Sequence, residues 1–286
     1  MPFSEEIKAL VNQFPDPDKN GTYVNMDKEK IEQIEKVVLL LHKGGRDSAL
    51  ALADMLVEPG KGDDVKAHFA LHLLAVRAPA RGDDKTRAEF ALAIASRLGG
   101  DRPKAVQKYL IEQLQVAGGR EVADTLGKAL LDPDLCDTAA RALAAIRDGA
   151  ADQLLAALPK VRGRSRLSVI DKLAVLRARQ AGDTFKQALA DAESDVRIAA
   201  AWGIARLADA SAVEAMLKCA DAHEGWERIN HTDACLALGE NLLAAGKKGA
   251  AAAIYGHLLK TRAAPSERHV RAAAERGQRS ACRAPP

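Results

Sequence analysis

Val196-Arg197-Ile198-Ala199-Ala200-Ala201-Trp202-Gly203-Ile204-Ala205-Arg206-Leu207 is the stretch that decides the fold, because its pattern recurs along the chain. Thirty-one residues upstream stands Ser165 to Leu176; 61 upstream, Leu135 to Ile146 places Ala139, Ala140, Leu143 and Ile146 on Ala200, Ala201, Ile204 and Leu207. Downstream, Glu227 to Leu238 puts Cys235 and Leu238 in the apolar slots. The closing positions Val116, Ile146, Leu176, Leu207 and Leu238 are 30, 30, 31 and 31 residues apart. Within each copy the apolar residues fall at i, i+4 and i+7, one face of an α-helix. A shorter helix is expected before each copy, over 121–131, 151–158, 184–189 and 212–219. Turns such as Asp132-Pro133-Asp134 separate the two helices, with Asp64, Asp134 and Asp195 placed to cap the second.

A two-helix repeat of this length cannot bury both apolar faces alone, so neighbours must stack. The expectation is an all-α solenoid of about seven helix pairs, with second helices lining its inner surface. It spans 47–276, after an N-terminal helix–loop–helix cap over 1–46 and before a disordered tail over 277–286. Composition agrees: 48% of residues are hydrophobic but only 3% aromatic, a helix-forming vocabulary with small residues at close contacts.

Asp191, then Val196-Arg197 and Ala200-Ala201, resembles the HEAT repeat, especially the short bacterial HEAT-like type. The resemblance implies a right-handed α–α superhelix and charges that link neighbouring repeats. Lys160 and Ala222 stand where the other copies would carry the aspartate. Arg166, Arg197 and Arg228 recur at repeat spacing, with Lys66 at the equivalent earlier place. They read as bridges between turns, the competing reading being a basic stripe for a ligand.

Taking Ile204 and Leu207 as inward, Trp202 points roughly 200° from Ala200, since each helical residue advances about 100°. Its column holds Ile111, Arg141, Asp171 and Asp233, a largely charged, mixed-sign surface around an aromatic anchor for a protein or peptide. The competing role for Trp202 is to fill a gap against the next repeat. Arg162, Arg164 and Arg166 form a second candidate, a basic patch for phosphate backbones, without the interleaved aromatics that stack bases. The formal charge of +3 does not by itself call for nucleic acid.

Asp16-Pro17-Asp18-Lys19-Asn20-Gly21, with Asp27 at the twelfth place, resembles an EF-hand calcium loop; Asp16, Asp18, Asn20 and Asp27 are its candidate ligands. Pro15, Pro17 and the short closing Asp27 favour a polar turn between helices. The four cysteines include no C-x-x-C pair and read as buried free thiols. His68 and His72 share a helix face without the glutamate of a zinc protease, and His223-Glu224 resembles one pair of the several in HEAT-type di-iron hydroxylases. All three histidines read as surface or packing residues. There is no G-x-S-x-G, P-loop or dinucleotide fingerprint. The expected function is a non-catalytic scaffold without a cofactor, binding a protein or peptide. The alternatives are nucleic-acid binding of the HEAT-like DNA glycosylase kind, or a HEAT-like lyase or hydroxylase. With no secretory signal and no apolar run of about 18 residues, the expected setting is cytoplasmic, without a membrane span.

Overall fold

The computed structural model of the chain describes residues 2–24, 26–79 and 83–282. Sixteen α-helices and no strand occur among them. The chain forms two compact units, residues 1–153 and 154–286.

The first unit contains α1 (Pro2–Val11), α2 (Lys28–Lys43), α3 (Gly45–Met55), α4 (Val65–Arg77), α5 (Asp84–Ala95), α6 (Lys104–Ala117), α7 (Ala123–Ala129) and α8 (Cys136–Ile146). These pack as consecutive pairs, α1 with α2 through α7 with α8. Across pairs, α1, α3 and α5 stack in one layer, and α2, α4, α6 and α8 in the other. The N-terminal helices are part of this stacking, packing on α3 and α4.

α9 (Ala150–Ala157) spans the boundary in sequence. The second unit then holds α10 (Gly163–Val175), α11 (Gly182–Ala188), α12 (Ser194–Leu207), α13 (Val213–Ala222), α14 (Gly225–Ala244), α15 (Lys248–Thr261) and α16 (Arg268–Cys282). Here α10, α12, α14 and α16 pack side by side, while α11, α13 and α15 each cover the long helix that follows.

Of the expected closing positions Leu238 is fully buried, whereas Val116 is 40% exposed and Ile146, Leu176 and Leu207 are only half-buried. Leu143, Leu173, Ile204 and Cys235, one turn earlier in their helices, are fully buried. The periodicity was right; the depth was right at Leu238 alone. Each fully buried Leu or Ile contributes about 1.5–3 kcal/mol. Alanines at 0% exposure (Ala139, Ala140, Ala200, Ala201) let neighbouring helices approach.

The repeat is also written in the backbone. Among the described residues, the non-glycine residues with positive φ are Arg147, Arg177 and Ala208, at 68°, 52° and 51°. They stand 30 and 31 residues apart, just after α8, α10 and α12. A left-handed residue stops a helix by turning its next carbonyl off the axis, and it costs a non-glycine residue roughly 1–2 kcal/mol. Ala208, at ψ 45°, takes the left-handed helical conformation, whereas Arg147, at ψ −51°, does not, so the register is shared and the detailed turn is not.

Two local expectations are corrected. Asp134 and Asp195 do not cap their helices by side chain; the loop carboxylates Asp132 and Asp191 instead accept the backbone N–H two residues on, at 3.0 and 3.1 Å. Asp64 accepts from the Val57 N–H at 2.9 Å and makes no cap bond to α4. The expected disordered tail from Gly277 is helix as far as Cys282, with Ala281 buried, while 283–286 lie outside the described residues. No helix among the described residues is long and apolar enough to cross a membrane.

Candidate functional site

Repeat-spaced arginines are consumed inside the second unit. Arg166 on α10 donates to Asp191 at 2.7 Å. Arg197 on α12 makes a two-pronged pair with Glu227 at 2.6 and 2.8 Å and also donates to the carbonyls of Asp191 and Ala192. Arg228 on α14 donates to Glu267 at 2.9 Å. Each arginine thus holds the turn or helix start of the following pair, and these are bridges. The Arg197 bond holds the Glu227 carboxyl below the ordinary carboxylate range. Burial would raise Asp191, but bonds from Arg166 and the Glu193 N–H outweigh it and lower it. Lys66, at the earlier equivalent place, bonds Asp16 at 2.7 Å and the Phe14 carbonyl at 2.8 Å.

Of the expected basic patch, Arg166 is paired with Asp191. Arg162 donates to the carbonyls of Pro159 and Val161 at 2.8 Å but stays exposed and cationic, as does Arg164. The calcium-loop residues are also engaged separately. Asp16 pairs with Lys66; Asp18 closes its own turn, accepting from the N–H groups of Asn20 and Thr22 and the Thr22 hydroxyl; Asn20 is exposed; Asp27 caps α2 through the Lys30 N–H. Asp16, Asp18 and Asp27 do not converge. Tyr23 stacks on Phe69 with ring centroids 3.9 Å apart, so the segment is a packed turn between helices.

The Trp202 column is partly assembled. Asp171, Trp202 and Asp233 stand at repeat spacing on α10, α12 and α14, all half-buried. Asp171 pairs with Lys172 at 2.6 Å, and burial raises the Asp233 carboxyl. Arg141 belongs to the first unit, on α8, exposed and 3.3 Å from Asp137. One turn before the column runs an apolar one that sequence reasoning missed: Leu167 and Ile198 are half-buried, and Ile229 is 53% exposed. Beside Ile229, Trp226 is 71% exposed in the first turn of α14. The signal was present, because 167, 198 and 229 share the 31-residue spacing used to find the repeat.

A second missed grouping lies where α13 gives way to α14. Cys219, His223 and His231 bring one donor atom each to within 4.8 Å of one another, the one such cluster of three among the described residues. The Cys219 sulfur is 3.9 Å from His223 Nδ1, and the two imidazoles stack at 5.5 Å. His223 is half-buried, with its Nδ1 also 2.8 Å from the Cys219 carbonyl. Burial pushes the Cys219 thiol up to about 11 and lowers His231. Cys219, His223, Glu227 and His231 recur every fourth residue, a spacing readable in the sequence. His68 and His72 do pack, against Tyr109 and Gln113 respectively. None of the four cysteines forms a disulfide; Cys136, Cys219 and Cys235 are buried as expected, whereas Cys282 is exposed.

A small hollow lined by His42, Arg46, Leu74 and Phe90 holds about 20 Å³, room for roughly one water.

No protein-family model matches the chain, and no curated protein matches it. Among solved structures, an engineered protein aligns over 96% of each chain at 18% identity, with a TM-score of 0.32. A likeness that weak carries no argument about fold or function.

Proposed function

We propose that this chain is a HEAT-like α-solenoid whose helix pairs form a non-catalytic interaction scaffold, binding a protein or peptide along the face of α10, α12 and α14. The observation that carries the reading is exposed Trp226 and Ile229 on α14, beside half-buried Ile198 and Trp202 on the adjoining α12. Exposing a tryptophan on a rigid helix gives up burial energy that a partner can recover, and tryptophan is a preferred anchor at interfaces. Asp171 and Asp233 flank the apolar column, which suits a partner with apolar side chains and a basic group. The positive-φ residues at repeat spacing after α8, α10 and α12, and the arginine bridges, support the HEAT-like part of the reading. Because Arg166 is paired with Asp191 and the exposed cations Arg162 and Arg164 have no interleaved aromatics, a protein partner is favoured over a phosphate backbone.

The test compares the chain with a Trp226→Ala/Ile229→Ser variant as baits for affinity purification. Exposed substitutions cost within about 0.5 kcal/mol, so the variant keeps its melting temperature. Proteins retained by the chain and lost by the variant support the scaffold; identical sets of bound proteins refute this face. A shift of duplex DNA at low salt that Arg164→Ala removes would favour the nucleic-acid reading instead.

A further inference from the structure

We propose that Cys219, His223 and His231 form a binding site for a divalent transition metal of the zinc type. Cys219 lies in the last turn of α13, His223 follows that helix directly, and His231 stands in the second turn of α14. The turn between them runs through Gly225 at φ +56°, a conformation that favours glycine and brings the three donors together.

The observation that points to a ligand is His231. It is fully buried, and its Nδ1 donates to the Glu227 carbonyl at 2.8 Å. That bond sets the tautomer and leaves Nε2 as a bare acceptor, buried and with no hydrogen-bond partner. A buried acceptor without a partner is costly, and a carbonyl on one ring nitrogen is the usual support for a histidine that binds metal through the other.

Zn–S bonds of about 2.3 Å and Zn–N bonds of about 2.0–2.1 Å, set tetrahedrally, require donor separations of about 3.3–3.6 Å. Cys219 Sγ and His223 Nδ1, at 3.9 Å, are close to that, while the widest separation is within 4.8 Å and must close by about 1 Å. His223 is the member able to move, because its side chain is 27% exposed. Its ring gives up the 2.8 Å bond to the Cys219 carbonyl in exchange for the metal. The metal replaces the thiol proton, which leaves to solvent. One sulfur and two nitrogens select a zinc-type ion over calcium or magnesium, which take oxygen. The Glu227 carboxylate, 3.3 Å from His223 Nε2 and oriented by Arg197, places negative charge beside the ion. A bound metal would clamp the turn that carries Trp226.

The test strips the full chain of metal with a chelator, then titrates it with cobalt and zinc. One cobalt per chain is expected, with thiolate-to-metal charge-transfer absorption that zinc abolishes by displacement. Cys219→Ser should remove that absorption, while Cys235→Ser, a buried thiol outside the cluster, should keep it. His223→Ala, at a partly exposed position, should weaken zinc binding by more than the 10–100-fold that a lost second-shell contact costs. No charge-transfer absorption, absorption that survives Cys219→Ser, or unchanged zinc affinity in His223→Ala would each overturn the site. If Cys219→Ser does not fold, the His223→Ala affinity decides.

Discussion

Replacing Gly277 by alanine separates a frayed C-terminus from a packed one. Gly277 lies inside α16, where glycine to alanine on its own stabilises a helix by about 1 kcal/mol. An added Cβ would stand 2.3 Å from Tyr255 Cζ and 2.5 Å from both Cε atoms. The ring is 1% exposed, and Gly239 on α14 also abuts it, with Cβ distances of 2.8–2.9 Å. The ring therefore has little room to retreat. Overpacking costs about 1–3 kcal/mol, and three ring atoms inside contact distance put this case at the upper end. Subtracting the helix gain leaves a net loss of about 2 kcal/mol. At about 2–4 °C per kcal/mol, the melting temperature should fall by about 4–8 °C, read by circular dichroism. In a Tyr255→Leu background the clash is gone, so the same substitution should become neutral or stabilising by up to about 1 kcal/mol. A rise in melting temperature for Gly277→Ala in the otherwise unaltered chain would refute the packing of α16.

Further outcomes follow from the bridges and the turn. Arg197→Ala should cost about 2–3 kcal/mol in urea denaturation, because it strands Glu227 at 15% exposure, whereas Lys28→Ala, in a pair 91% and 65% exposed, should cost under about 0.5 kcal/mol. Acid should weaken the fold through Asp54, Glu121 and Asp191, whose folded carboxyls are held below their ordinary 3.8, 4.5 and 3.8. Folded carboxyls that bind protons less tightly than unfolded ones contribute stability at neutral pH, and it is lost as pH falls through and below that range. Below pH 6.5 the unfolded chain also takes up a proton at His231, which burial keeps neutral in the fold. The urea midpoint should therefore start to decline before pH 5 and fall further by pH 3 as the carboxylates protonate; a midpoint unchanged at pH 3 would contradict the bridges. Millimolar calcium should leave the melting temperature unchanged, since Asp16, Asp18 and Asp27 serve separate partners; a rise of several degrees would restore the calcium-loop reading.

Helix positions were largely legible. The expected second helices coincide with α8, α10, α12 and α14. The tail was misread because Gly277, Gln278 and Arg279 carry no apolar period, whereas its helix is held by close backbone approach to Tyr255, which leaves no periodic trace. Of the Trp202 column, three members share neighbouring helices, because repeat spacing maps one helix onto the next. The calcium-loop motif does not show that Asp18 closes its own turn while Asp16 and Asp27 serve Lys66 and the start of α2, because those partners lie outside its pattern.

The chain's sequence determined the helices, their pairing and their period, since apolar burial on one helix face repeats every few residues and is written locally. Tertiary structure decided where each charge went, because Arg166, Arg197 and Arg228 choose among acids 25 to 39 residues away by side-chain reach across a packed layer. It likewise decided that Trp226 stands in solvent and that Cys219, His223 and His231 meet. Both depend on the backbone angles of one turn at Gly225, and regular periodicity cannot encode the direction in which a chain leaves a turn.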